Sequence, residues 1–200
     1  MPLTRKGVAT RQRIVQGAAE QIREQGVFAV RLEDVMARTA TSKSQLFHYF
    51  PGGKDELLLA VARHESARVI HDQQPELSSL TSWAAWQQWR DKLVARYRAQ
   101  GSDCPLHAAL ARLGGTTDAT RTVAGELIGR WQQQLAVGIR HMQGSGAIAS
   151  ELDADREAAA LLAGIQGGVL ILMTTGGSTH LEAALDQGIA HLRASGRHDR

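Results

Sequence analysis

The sequence holds one cysteine, Cys104, which excludes an internal disulfide and any zinc site built on several thiolates. A reducing cytoplasm suits such a chain. Strand signals are missing: there are no β-branched runs bounded by turn residues and no Asn-Gly pair between them. No phosphate-cradling glycine loop follows a strand pattern, since Gly167-Gly168 lies inside an apolar helical stretch. Arg5 and Lys6 are not followed by the apolar core of a secretory signal. Residues 158–179 lack charge and reach the roughly 18–20 residues of a membrane span. Gln166, the glycines at 164, 167 and 168, and the absence of a Trp or Tyr belt favour a buried helix and no membrane partner.

What is present is ordinary for a globular protein: 43% apolar and 22% charged residues in a chain of 200, enough for one large domain or two small ones. The charge is unevenly placed. Residues 1–54 carry nine Lys/Arg against four Asp/Glu, a surplus of five; the remaining 146 carry fourteen against sixteen, a deficit of two. A basic module on a slightly acidic body is the footprint of a protein that meets a polyanion.

A period of 3.6 runs through the chain and predicts an all-α fold of about nine helices without internal repeat. The first spans 10–25 on Ile14, Val15, Ala18, Ala19 and Ile22, closed by Gly26, with Val27 and Phe28 packing at the loop. A second spans 32–38 on Leu32, Val35 and Met36. Ser42 caps a third over 43–49, with Leu46 and Phe50 inward and Lys43, Ser44, Gln45 and His48 outward. Pro51-Gly52-Gly53 ends it, and a fourth covers 54–72. Further helices are expected at 81–100, 105–113, 118–143, 154–175 and 179–194, the last opened by a capping box on Thr179 and Glu182. The division expected is 1–54 for the basic module and 55–200 for a second, helical domain.

Two short helices joined by three residues, the second beginning with small polar side chains, describe a helix-turn-helix. The leading face must be slim to enter a major groove about 12 Å wide, and Ser42, Lys43, Ser44 and Gln45 meet that need. Gln45 can pair bidentately with adenine, and Lys43 can reach guanine or phosphate. His48, Tyr49 and Lys54 can donate to phosphate oxygens, Lys54 from a helix start that favours an anion.

Arg13-Ile14, Ala18, Gly26, Leu32-Glu33-Asp34-Val35, the run from Ser42 to Phe50, and Lys54-Asp55-Glu56-Leu57-Leu58 together resemble the N-terminal domain of TetR-family transcriptional regulators. The Tyr49-to-Lys54 stretch and Cys104-Pro105-Leu106 are similar to the LmrA/YxaF-like branch. The resemblance covers about residues 10–63 and implies that Arg31, Thr41, Ser42, Lys43, Ser44, Gln45, His48, Tyr49 and Lys54 face the DNA. Four positions depart from the pattern. Arg31 replaces a Thr cap worth roughly 1 kcal/mol. Ala40 replaces the turn glycine, Thr41 a common valine, and Phe47 a tyrosine whose hydroxyl commonly contacts phosphate.

The resemblance also implies a homodimer on a palindromic duplex, joined through its last two helices, and a small-molecule effector that controls release of the operator. Leu161, Ile165, Leu172, Leu181, Leu185, Ile189 and Leu192 are the expected dimer contacts. A flat, largely apolar or aromatic effector is expected against Trp89, Leu93, Tyr97, Leu110, Trp131, Gln166 and Met173, with Gln166 fixing its orientation. No cofactor and no metal are expected. Cys104-x-x-His107 is at most half of a zinc site, so an enzyme using Cys104 and His107 is the minor alternative. A helical interaction module without DNA binding is the other.

Overall fold

The computed structural model describes residues 4–101, 104, 106 and 117–196. Apart from residue 106, the expected helix at 105–113, with His107 and Leu110, lies outside them. The elements among the described residues are eight α-helices and one 3-10 turn: α1 (Arg5–Gln25), α2 (Leu32–Arg38), α3 (Lys43–Tyr49), α4 (Gly53–His71), the turn Glu76–Ser78, α5 (Trp83–Gln100), α6 (Asp118–Gly144), α7 (Ala154–Thr175) and α8 (Thr179–Ser195). The bounds of α2, α3 and α7 are those that the sequence predicts. Helix α1 begins five residues early because the Thr4 hydroxyl accepts from the Gly7 amide at 3.2 Å and caps it there. The capping box expected on Thr179 is not formed. Ser178 occupies the cap position, and its hydroxyl donates instead to Glu182 at 2.5 Å.

The chain divides into two compact units, Met1–Arg68 with Asp103–Gly125, and Val69–Ser102 with Glu126–Arg200. The first therefore extends past residue 54. Leu57, Leu58 and Val61 of α4 are buried, and Arg23 of α1 holds Glu65 of α4 at 3.0 Å. The core of α1 is Ile14, Val15, Ala18, Ala19 and Ile22. Gly17 belongs to this face because a Cβ there would collide with the Thr39 side chain. Val27 is buried, but Phe28 is 83% exposed and does not pack at the loop.

In the second unit α7 and α8 form an antiparallel hairpin around Gly176 and Gly177. A Cβ at Gly168 would stand 2.5 Å from Leu181 Cα, so glycine is what lets α8 approach this closely. Asp153 caps α7 by accepting from the amides of Asp155 and Arg156 at 3.0 and 3.2 Å. Helix α7 is long and apolar enough to cross a membrane by length and composition. It is buried on one face only, through residues such as Ala158, Leu162, Ile165 and Val169. Arg90 of α5 holds Asp186 of α8 through two 2.8 Å hydrogen bonds, and Arg98 of α5 reaches Glu182 at 2.6 Å.

Candidate nucleic-acid interface and effector region

Helix α2 is preceded by Arg31, whose side chain makes no cap hydrogen bond, and buries Val35. Arg38 at its end turns back to α1, where its guanidinium engages the Glu24 carboxylate through both nitrogens. That hydrogen bond holds the Glu24 carboxyl below its ordinary range and raises the Arg38 guanidinium. The link fixes α2 to α1, and Arg38 is thereby neutralised.

Between α2 and α3, Ala40 adopts φ +46°, the left-handed region. Thr39 and Thr41 on either side are buried. The Thr39 hydroxyl donates to the Val35 carbonyl at 2.7 Å, and the Thr41 hydroxyl donates to the Thr39 carbonyl at 3.2 Å. Thr41, expected at the DNA, thus faces inward and is committed to the turn. Arg31 is exposed.

Helix α3 opens with a complete capping box. Ser42 Oγ accepts from the Gln45 amide at 3.2 Å, and Gln45 Oε1 accepts from the Ser42 amide at 3.1 Å. Leu46 and Phe50 are fully buried, and the Arg11 guanidinium lies 5.0 Å above the Phe50 ring. Ser42, Lys43, Ser44, Gln45, Phe47 and His48 are exposed, and Tyr49 is half-buried. The His48 and Tyr49 rings meet edge to face at 4.9 Å. No carboxylate lies on α3. The helix therefore offers a narrow ridge of hydroxyl, amide, ammonium and imidazole groups backed by an apolar anchor.

Two details alter the chemistry expected here. Gln45 Oε1 already accepts the Ser42 amide, which turns it towards the cap, while its NH2 is free; bidentate pairing with adenine needs both groups aimed at the base. Lys54 Nζ donates to the Val30 carbonyl at 2.6 Å, and the Gly52 amide donates to Glu56 Oε2 at 2.7 Å. The chain's own carboxylate thus serves the amide just ahead of α4, and the Lys54 ammonium ties α4 to the loop before α2. Phe47, which is not among the expected DNA contacts, is the exposed apolar ring on this ridge, 40% accessible.

In the second unit, Trp86, Trp89, Leu93 and Tyr97 of α5 and Trp131 of α6 are buried, while Gln166 and Met173 are half-buried. Trp86 and Trp89 meet edge to face at 5.8 Å. The Trp89 indole donates to Gln73 Oε1 at 2.9 Å, and Gln73 Nε2 donates to the Val69 carbonyl at 2.7 Å. By contrast, among the described residues the indole nitrogens of Trp86 and Trp131 are buried without a partner, as are Arg96 Nη1 and Gln100 Nε2. All four are donors. Trp86 was absent from the expected lining, and periodicity cannot signal an unmet indole. A cleft of about 390 Å³ in this unit is lined by Leu80, Gln133, Val137 and His141 among others, and by none of the expected effector residues.

Leu161, Ile165, Leu172, Leu181, Leu185, Ile189 and Leu192 are all buried within the single chain. They join α7 to α8 and fill the core. The exposed stripe of α7 is Ala163, Gly167, Leu170 and Thr174, and that of α8 is Ala183, Gln187, Ala190 and Ala194.

A basic three-helix unit with an exposed second helix of a helix-turn-helix defines a DNA-binding regulator. Residues 14–61 match the profile of bacterial regulatory proteins, tetR family, and residues 82–187 match the tetracyclin repressor-like C-terminal domain. An uncharacterized HTH-type transcriptional regulator of Mycobacterium tuberculosis is 29% identical over 140 residues, 63% of this chain and 67% of that protein. The uncharacterized HTH-type regulator YxaF of Bacillus subtilis is 24% identical over 181 residues, 89% of this chain and 92% of that one. The crystal structure of a TetR transcription regulator from Haloarcula marismortui shares the fold with a TM-score of 0.74 at 18% identity, covering 94% and 98% of the two chains. This chain belongs to the TetR family of transcriptional regulators. Both relatives are named as transcriptional regulators, and among the described residues no three His, Cys, Asp or Glu groups gather as a metal site.

Proposed function

We propose that the protein is a cytoplasmic, ligand-responsive repressor that binds an inverted-repeat operator as a homodimer. The observation that carries the reading is α3, which buries Leu46 and Phe50 and leaves Ser42, Lys43, Ser44, Gln45 and His48 exposed with no acid among them. Residues 1–54 hold the reading surface, and 55–200 hold the effector site and the dimer contacts. Pairing through the exposed small-residue stripes of α7 and α8 suits helices that approach closely.

The effector is a largely apolar or aromatic molecule that carries hydrogen-bond acceptors. The unmet indole donors of Trp86 and Trp131 support this, because each buried unpartnered donor costs roughly 1–3 kcal/mol. Binding lowers operator affinity to the extent that the effector prefers the released state. Selection from a pool of random duplexes tests the DNA reading. It should return an inverted repeat whose half-sites lie about 34–36 Å apart. Recovery of no common sequence would contradict it and favour a helical interaction module.

A further inference from the structure

Phe47 is a large apolar side chain left 40% exposed on a helix whose other outward groups are all polar. Leu46 and Phe50 already fill the inner face, so the exposure of Phe47 is not a shortage of core. A Cβ placed on Gly53 would be 3.7 Å from Phe47 Cε1. The ring therefore has the glycine turn beside it, which limits its freedom and leaves its outer edge to solvent. Ser44 and Lys43 precede it by three and four residues, one helical turn, so the ring stands on the same side of α3 as these two.

A phenyl ring has no donor and no acceptor. It cannot bond a phosphate oxygen or the polar edge of a base. The major groove offers one apolar feature on its base edges, the C5 methyl of thymine. We infer that Phe47 is a specificity-determining residue that selects thymine by burying this methyl group. The inference rests on α3 being the groove-reading helix. The free NH2 of Gln45 then selects an acceptor group at a neighbouring position, and Phe47 adds a discrimination that hydrogen bonding cannot supply.

The experiment replaces each thymine of the selected operator by deoxyuridine, which removes the methyl and nothing else. In the wild-type protein one thymine per half-site should be sensitive, and its replacement should weaken binding about fourfold, the worth of one buried carbon group. Phe47→Ala should bind more weakly and lose that sensitivity, while Phe47→Leu, still apolar, should keep it. Thermal melts of both variants check that they fold, as expected for a partly exposed position. Equal sensitivity in wild type and Phe47→Ala, or none in wild type, overturns the inference while operator binding itself survives. Failure to bind any duplex overturns both this inference and the reading of α3.

Discussion

Ala40 offers a direct test of how the turn before α3 is held. Its φ of +46° places an L-residue in the left-handed region, which costs about 1–2 kcal/mol. Its methyl is exposed, so removal buries nothing less and opens no cavity. Ala40→Gly relieves the strain but adds unfolded-state entropy of roughly 0.5–1 kcal/mol. The net expectation is a stabilisation of about 0.5–1 kcal/mol. For a chain of this size that raises the melting midpoint by about 1–4 °C, read by circular dichroism or calorimetry. Ala40→Val should move it the other way, since β-branched residues fit the left-handed region worst. Operator affinity should stay unchanged in Ala40→Gly, because residue 40 carries no polar side-chain atom. A midpoint that is unchanged or lower in Ala40→Gly would refute the strain argument.

Other outcomes follow from the same geometry. Gly168→Ala places a methyl against the Leu181 backbone and should destabilise by about 1–3 kcal/mol in urea unfolding. Gly167 meets nothing within 4 Å, and Gly167→Arg should instead shift sedimentation towards monomer; an unchanged dimer would remove the α7 stripe from the interface. Gln45→Ala should relax base preference at one operator position by roughly 1–3 kcal/mol, and an unchanged selected sequence would take Gln45 off the reading face. Glu24, Glu76 and Glu182 are held below the ordinary carboxylate range, by hydrogen bonds from Arg38, from Lys92, and from Ser178 with Arg98. A carboxyl with a lowered folded pKa stabilises above its unfolded value and loses that contribution as pH falls through the folded one. Unfolding free energy should therefore be level from neutral to about pH 5 and drop below about pH 4; a rise on acidification would contradict the pairing.

The reading surface was legible in the sequence because its signals are local. Ser42 before a short apolar period, and Pro51 after it, place α3 within one residue. The start of α1 was not, since Thr4 caps a polar first turn that carries little periodicity. Which faces of α7 and α8 stay exposed is illegible for a different reason. Leu161, Leu172 and Leu185 show the period of a buried face, and period alone does not say whether the covering helix belongs to the same chain. The exposed stripes mix Ala and Gly with Leu170, Thr174 and Gln187, a composition that carries no hydrophobic period. The resemblance puts Thr41 at the DNA and residue type puts Lys54 there; the structure shows each donating to a backbone carbonyl, Thr41 within its own turn and Lys54 across to the loop before α2. Phe28 was expected to pack because it is phenylalanine, and no neighbouring element covers it.

The central claim is that α3 docks on a duplex through cationic and neutral groups. Its most direct measurement is the salt dependence of binding to the selected operator, wild type beside Lys43→Ala. A steep linear fall of log Kobs with log salt is expected, with the slope reduced by about one unit in Lys43→Ala. A flat response, or an identical slope in the two proteins, would contradict the account of how this surface meets DNA.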